Sequence, residues 1–227
     1  MKAVIFDFNG TLFIDHDKHV LAWNQISELL RHKPLIEEEL YTKCNGVPNE
    51  VIIDYLLENQ ATPKQKKTYS ALKEEYYRDY CLKDPESFHL IAGAYDYFKQ
   101  LKKAGILFTI ASASIKDNMD FFISSFHLDD YIEPTQIVYD DGSYQNKVAM
   151  FLEASTRLNV PIEDCLIYED SISGIQSAIE ANCHNITVVD TTQLGDQYKK
   201  YPGVQSVIHD FTEVLYDKSD TQKQSHR

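Results

Sequence analysis

Five short apolar runs punctuate the chain, at residues 3–6, 106–111, 165–168, 186–189 and 207–208, and they are followed by Asp7, Ser112, Glu169, Asp190 and His209. The runs are rich in β-branched residues and do not alternate with polar ones, the pattern of strands buried on both faces of a parallel sheet. Between them, residues 95–101, 150–158 and 171–181 carry apolar residues at helical spacing. The second stops before Asn159-Val160-Pro161, and the third opens on Ser171, a residue type that caps helix N-termini. Strand and helix in alternation predict an α/β, doubly wound parallel-sheet (Rossmann-like) core with right-handed crossovers. In such a core the ligand site lies outside the carboxyl ends of the strands, where these polar residues fall.

Residues 14–86 break the alternation. Helical spacing recurs there over 18–30, 36–44, 49–57 and 63–81, with no strand pattern between. An insertion of ~70 residues is long enough for a small core of its own. The expected organisation is therefore a core built from 1–13 and 87–216, a helical domain over 14–86, and a solvated tail over 217–227, where no apolar residue occurs.

Composition narrows the function classes. The 227 residues carry 22 Lys+Arg against 35 Asp+Glu, a net charge of −13, which argues against a nucleic-acid partner because phosphates must be met by clustered cations. No apolar run approaches the ~20 residues that span a bilayer, and the first one ends at Asp7, too soon for a signal peptide. The expectation is a cytoplasmic protein. Cys44, Cys81, Cys165 and Cys183 form no CxxC pair and fit buried or incidental thiols better than a metal cluster or a disulfide framework.

The densest chemistry is Asp7-Phe8-Asn9-Gly10-Thr11-Leu12, directly after the first strand. A carboxylate there projects into the crevice, and Gly10 permits a tight turn and close backbone approach. A strand-end Asp also serves as an ordinary turn residue, so the other strand ends decide. Ser112 places a hydroxyl in the same crevice, and Glu169-Asp170 places two adjacent carboxylates there, ahead of a helix with Gly174 in its first turn. Adjacent carboxylates are costly without a cation, and with Asp7 they make an oxygen-rich Mg²⁺ site. Lys147 can supply the positive charge that a phosphoryl group requires.

These motifs resemble those of the haloacid dehalogenase superfamily, in the branch that contains β-phosphoglucomutase and phosphoglycolate phosphatase. The resemblance runs from residue 1 to about residue 215. It implies that Asp7 is the nucleophile, forming an aspartyl-phosphate, and that Mg²⁺ is held by Asp7, the Asn9 carbonyl and Asp170, with Glu169 in or near its second shell. It implies that Ser112 and the Ala113 N–H hold phosphoryl oxygens, that Lys147 pairs with the phosphoryl group and Asp7, and that 14–86 is a mobile cap. His19-Val20-Leu21-Ala22-Trp23 and Asn45-Gly46-Val47 fall where that branch has its cap-helix and substrate-loop motifs, which makes His19 and Asn45, with Gly10, candidates for substrate contact. His19 could equally be a partly exposed helix residue, and Ser114 and Lys116 fit phosphate contact or capping alike. Trp23 reads as cap core.

Three departures qualify the resemblance. Asn9 stands where the family usually carries a second aspartate that protonates the leaving group and activates water, and an amide cannot do either. Pro48-Asn49-Glu50 follows Val47 without the basic residue that mutases carry, so a hydrolase is expected before a mutase. Lys147-Val148-Ala149-Met150 keeps the lysine but lacks the prolines usual beside it. The resulting expectation is a Mg²⁺-dependent phosphatase acting on a small phosphorylated metabolite (a sugar phosphate, a phosphoglycolate-like compound or an acyl phosphate), slowed by Asn9, as a monomer or homodimer. The alternatives are a phosphosugar mutase and a non-catalytic phosphometabolite-binding protein.

Overall fold

The computed structural model describes residues 1–44 and 46–215. Asn45 and the expected tail at 217–227 therefore lie outside the described residues. The chain divides into two compact units, Met1–Ile14 with the chain from His89 onward, and Asp15–Phe88.

The first unit is built on strands β1 (Ala3–Phe6), β2 (Leu107–Ile115), β3 (Val138–Asp140), β4 (Cys165–Glu169), β5 (Ile186–Val189) and β6 (Val204–Ile208). They form one sheet in the order β3-β2-β1-β4-β5-β6, and every pairing is parallel. The chain steps outward one way from β1 and the other way from β4, so the order reverses between these two strands. That reversal is the topological switch point, the place where open α/β sheets bind ligands. Register does the rest. Phe6 lies opposite Ile110 on one side and Tyr168 on the other. The residue after Phe6 therefore emerges level with Ala111 and Glu169.

Alternation along β1 feeds two cores. Ala3 and Ile5 join Phe151, Ala154, Ile175 and Ala178, from helices α7 (Lys147–Arg157) and α8 (Ile172–Glu180). Phe6 turns the other way, stacking on Tyr168 at 5.1 Å and meeting Phe98 of helix α5 (Ala94–Ala104) edge-on at 5.3 Å. Helix α8 begins as its sequence predicts, with the Ser171 hydroxyl accepting from the Gly174 N–H at 3.0 Å. Two elements lie outside the expected pattern, β3 and helix α6 (Lys116–Phe126). The strand has only three residues and sits at an edge. The helix buries Met119, Phe122 and Phe126, a spacing that was present to be read.

The second unit contains helices α1 (His16–Arg31), α2 (Glu37–Glu39), α3 (Asn49–Leu56) and α4 (Pro63–Lys83), with one wider turn over Leu40–Cys44 continuing α2. Thr62 and Gln65 form a capping box around Pro63, which fixes the start of α4. Its core gathers Trp23, Ile26, Leu35, Ile52, Ile53 and Leu56, so Trp23 is a packing residue.

Candidate active site

The loop that leaves β1 is folded by its own backbone. The Asp7 N–H donates to the Tyr168 carbonyl at 2.9 Å, and the Phe8 carbonyl accepts from the N–H groups of Thr11, Leu12 and Phe13. Gly10 has φ +86°, and a Cβ on it would lie 2.3 Å from Asp170 Oδ2. Only glycine lets this backbone pass against that carboxylate. The Thr11 hydroxyl donates to Asp170 Oδ1 at 3.2 Å and the Tyr198 hydroxyl to the Asp170 carbonyl at 3.0 Å, so Asp170 is fixed from both sides.

Asp7, Glu169 and Asp170 each bring a carboxylate oxygen within 4.8 Å of the others. Lys147, the first residue of α7, donates to Asp7 Oδ1 at 2.5 Å and also to Glu169 Oε1. Glu169 is fully buried, and its Oε2 accepts from the Asp170 N–H, the Ser171 N–H and the Ser171 hydroxyl. Its role is to hold Lys147 and the turn into α8. A Cβ on Gly174 would lie 1.7 Å from Glu169 Oε1, so the glycine makes room for that carboxylate.

Electrostatics follow from three acids facing one base. Burial pushes the Asp7 carboxyl up to about 6, with Lys147 opposing and Glu169 adding to the rise. Burial, then Glu169 and Asp7, push Asp170 up to about 8. Burial alone would lower the Lys147 ammonium, but the Asp7 and Glu169 carboxylates outweigh it and hold it raised. A divalent cation among these oxygens would offset both the burial and the repulsion. The donors are all oxygen, which suits a hard ion such as Mg²⁺. Asp190, another strand-end acid, is spent differently: its carboxylate accepts from the N–H groups of Leu194 and Gly195 and shapes a turn.

The far wall is the end of β2. Ala111 pairs with Val138 and Ile115 with Asp140, so four steps along β2 match two along β3. This bulge presents Ser112, Ala113 and Ser114 beside the loop after β1. Asn9 Oδ1 accepts from the Ser114 hydroxyl at 2.6 Å and the Ser112 hydroxyl at 3.2 Å, and the Ser112 oxygen in turn accepts from the Ser114 N–H at 3.1 Å. The structure thus brings Asp7, Asn9, Gly10, Ser112, Lys147, Glu169 and Asp170 together, with Ala113 in the bulge between the two serines. Thr11 and Tyr198 join them with no role assigned by sequence, and Ser114, left between phosphate contact and capping, joins through Asn9 and shares the strand period of two with Ser112. His19 belongs to the second unit, where it stacks on Tyr77 at 4.1 Å, takes a hydrogen bond from Lys73 Nζ at 2.8 Å on Nδ1 and has Nε2 3.3 Å from Asp15 Oδ2.

Residues 4–188 match the family model described as haloacid dehalogenase-like hydrolase. A solved HAD hydrolase of family IA, variant 3, from Entamoeba histolytica HM-1:IMSS is 33% identical, with a TM-score of 0.87 and coverage of 95% of this chain and 96% of that one. The β-phosphoglucomutase of Bacillus subtilis (strain 168) is 28% identical over 191 residues, 80% of each chain. CbbY from Rhodobacter sphaeroides, solved in complex with phosphate, shares the fold at a TM-score of 0.76 and 20% identity, covering 94% of this chain and 96% of that one. No described helix is long and apolar enough to cross a membrane.

Proposed function

Because the chain belongs to the haloacid dehalogenase-like hydrolase family, we propose that it is a Mg²⁺-dependent phosphatase acting on a small phosphorylated metabolite through an aspartyl-phosphate at Asp7. The observation that carries this reading is the triangle of Asp7, Glu169 and Asp170 within 4.8 Å at the sheet's switch point, met by one lysine. Asp7, the Asn9 carbonyl and Asp170 would hold the metal, with Glu169 behind them. Bound there, Mg²⁺ supplies positive charge that polarises the phosphoryl group and quenches its repulsion with Asp7.

This chain's own residues do the remainder. An Asp7 carboxylate oxygen attacks phosphorus in line with the leaving group. Lys147 moves between its carboxylate partners and a phosphoryl oxygen, and the Ser112 hydroxyl and Ala113 N–H donate to the other oxygens, where charge develops. Asn9 lies beside the nucleophile as a neutral amide. Asp7→Ala is expected to abolish phosphate release from a panel of sugar phosphates, acyl phosphates and 4-nitrophenyl phosphate in Mg²⁺, and chelation is expected to do the same to the wild type. Turnover by Asp7→Ala within tenfold of wild type would sink the reading.

The likeness to the Bacillus subtilis β-phosphoglucomutase favours a second reading, a phosphosugar mutase. Against it, Pro48-Asn49-Glu50 supplies no cation for a second phosphate, and Asn49 Nδ2 is engaged by Glu74 Oε1 at 2.6 Å. Product analysis separates the two, because a mutase releases no inorganic phosphate from a hexose monophosphate.

A further inference from the structure

The crevice holds a nucleophile, yet the groups around it have little capacity to move a proton. Asn9 follows Asp7 by two residues in the same loop, and its oxygen is taken by the Ser112 and Ser114 hydroxyls. An amide held this way can hydrogen-bond but has no proton to give or take near neutral pH. Lys147 is committed to Asp7 and Glu169, and Glu169 is held through both oxygens. Asp170, which accepts from the Thr11 hydroxyl, is one of the carboxylates that would hold the metal and so is not a proton donor in the loaded site. Among the described residues of the same unit, three imidazoles bond elsewhere, His89 to the Leu90 carbonyl, His184 to Asn182 and His209 to Glu213, while His127 is exposed at the C-terminus of α6.

Resting on the phosphoryl-transfer reading above, we propose that the donors this site accepts are acyl phosphates, whose leaving group departs as a stable carboxylate, and that phosphorylated Asp7 outlives that departure. In the first step an Asp7 oxygen forms a bond to phosphorus, and the bond from phosphorus to the acyl oxygen breaks. The electron pair leaves with the carboxylate, whose conjugate acid has a pKa of about 4, and no proton need move. In the second step water attacks the phosphorus and the bond to Asp7 breaks. The Asp7 carboxylate is regenerated, and the water proton passes to solvent or the departing phosphate. An alkyl phosphate ester fails at the first step, because its alkoxide needs a general acid, whose absence costs about 10²–10⁴ in rate. The second step lacks a positioned base, so the phosphoenzyme accumulates. Ser114 acts as a positioning residue that keeps the amide of Asn9 in one orientation when Ser112 turns to the phosphoryl group.

The test compares acetyl phosphate with n-propyl phosphate on the full chain in Mg²⁺. The wild type is expected to show a kcat/KM ratio of at least about 10³ in favour of acetyl phosphate, a burst of about one acetate per active site, and Asp7 phosphorylation in acid-quenched protein by peptide mass spectrometry. A series of aryl phosphates should give rates that fall steeply as the leaving-group pKa rises, a measurement that needs no variant. Asn9→Asp should accelerate n-propyl phosphate by about 10²–10⁴ and flatten that dependence. A wild type that turns over n-propyl phosphate within tenfold of acetyl phosphate would overturn the inference while leaving the phosphatase reading intact. Absence of phosphoryl transfer to Asp7 from every donor, in both wild type and Asn9→Asp, would overturn the phosphatase reading and this inference with it.

Discussion

Each unit buries a lysine, and the two are surrounded differently. Lys147 meets Asp7 and Glu169, with Asp170 close by, and these carboxylates hold its ammonium raised. Lys73, 2% exposed, donates to Glu74 Oε1 at 2.9 Å and His19 Nδ1 at 2.8 Å, and lies 5.4 Å from the Trp23 ring and 5.3 Å from Tyr77. There burial wins and lowers the ammonium, despite Glu74. Around Lys73 every acid has its own donor: Glu74 also receives Asn49, and Asp15 receives the Tyr77 hydroxyl. Around Lys147 the acids outnumber the cation, and the surplus faces a crevice. A surplus of charge at a strand end marks a place that expects a ligand, whereas a matched set of partners marks structure.

The largest effect should come from breaking each lysine. Lys147→Met is expected to lower kcat/KM by about 10³-fold, since it removes a cation aimed at developing charge. Lys73→Met should instead cost about 3 kcal/mol of unfolding free energy in urea, because a buried Glu74 loses its counter-charge. The double variants sharpen the contrast. Lys73→Met with Glu74→Gln should recover at least half of that stability, while Lys147→Met with Glu169→Gln should recover no activity. Restored turnover in the second pair would erase the distinction drawn between the two sites.

The central strands were legible because they are buried on both faces. Residues 3–6 and 186–189 are read directly as β1 and β5, and 165–168 extends by Glu169 alone in β4. The edge strands were harder. β6 begins at Val204, ahead of the apolar pair at 207–208, since Val204 is only partly buried and Gln205 and Ser206 are exposed. The acids at the ends of β1 and β4 were readable from their place after apolar runs. Asp190 occupies the same kind of place and makes a turn, which shows that strand-end position is necessary but not sufficient. What separates them is the register that sets Phe6 beside Tyr168, and register is a property of the folded sheet. The partnership of Ser114 with Asn9 depends on the bulge in β2, which no periodicity announces.

Gly174 offers a finer probe of the unbalanced site. Alanine there would set its Cβ 1.7 Å from Glu169 Oε1, a carboxylate held through both oxygens. Gly174→Ala is expected to cost about 3 kcal/mol by overpacking and to lower turnover by displacing Lys147. Gly105, at the C-terminus of α5, has φ +68° and open space around its Cβ position. Gly105→Ala should cost only the backbone strain of about 1 kcal/mol and leave turnover unchanged. Equal costs in urea unfolding would mean that Glu169 is not held as tightly as its hydrogen bonds imply.

The smallest effect tests a pair that belongs to neither class. Arg31 grips Glu39 with both nitrogens, at 2.6 and 3.3 Å, while the Tyr55 hydroxyl at 2.6 Å and the Ile36 N–H at 3.0 Å complete the carboxylate. Hydrogen bonds from Arg31 and then Tyr55 hold Glu39 down at about 2, against an ordinary value of 4.5. A carboxyl held below its unfolded value binds its proton less readily when folded, so its contribution is complete above about pH 4.5 and is lost as pH falls from there towards 2. Partial exposure of both side chains screens the pair, which limits that contribution to about 1 kcal/mol. Wild type should therefore lose more stability than Glu39→Gln between pH 5 and about pH 2.5, as read by urea midpoints of the helical unit's unfolding. Above pH 5 the two should differ by a constant amount. Parallel curves down to the acid end would mean that the carboxylate gains nothing from its four donors, and that Arg31 and Glu39 only decorate the surface.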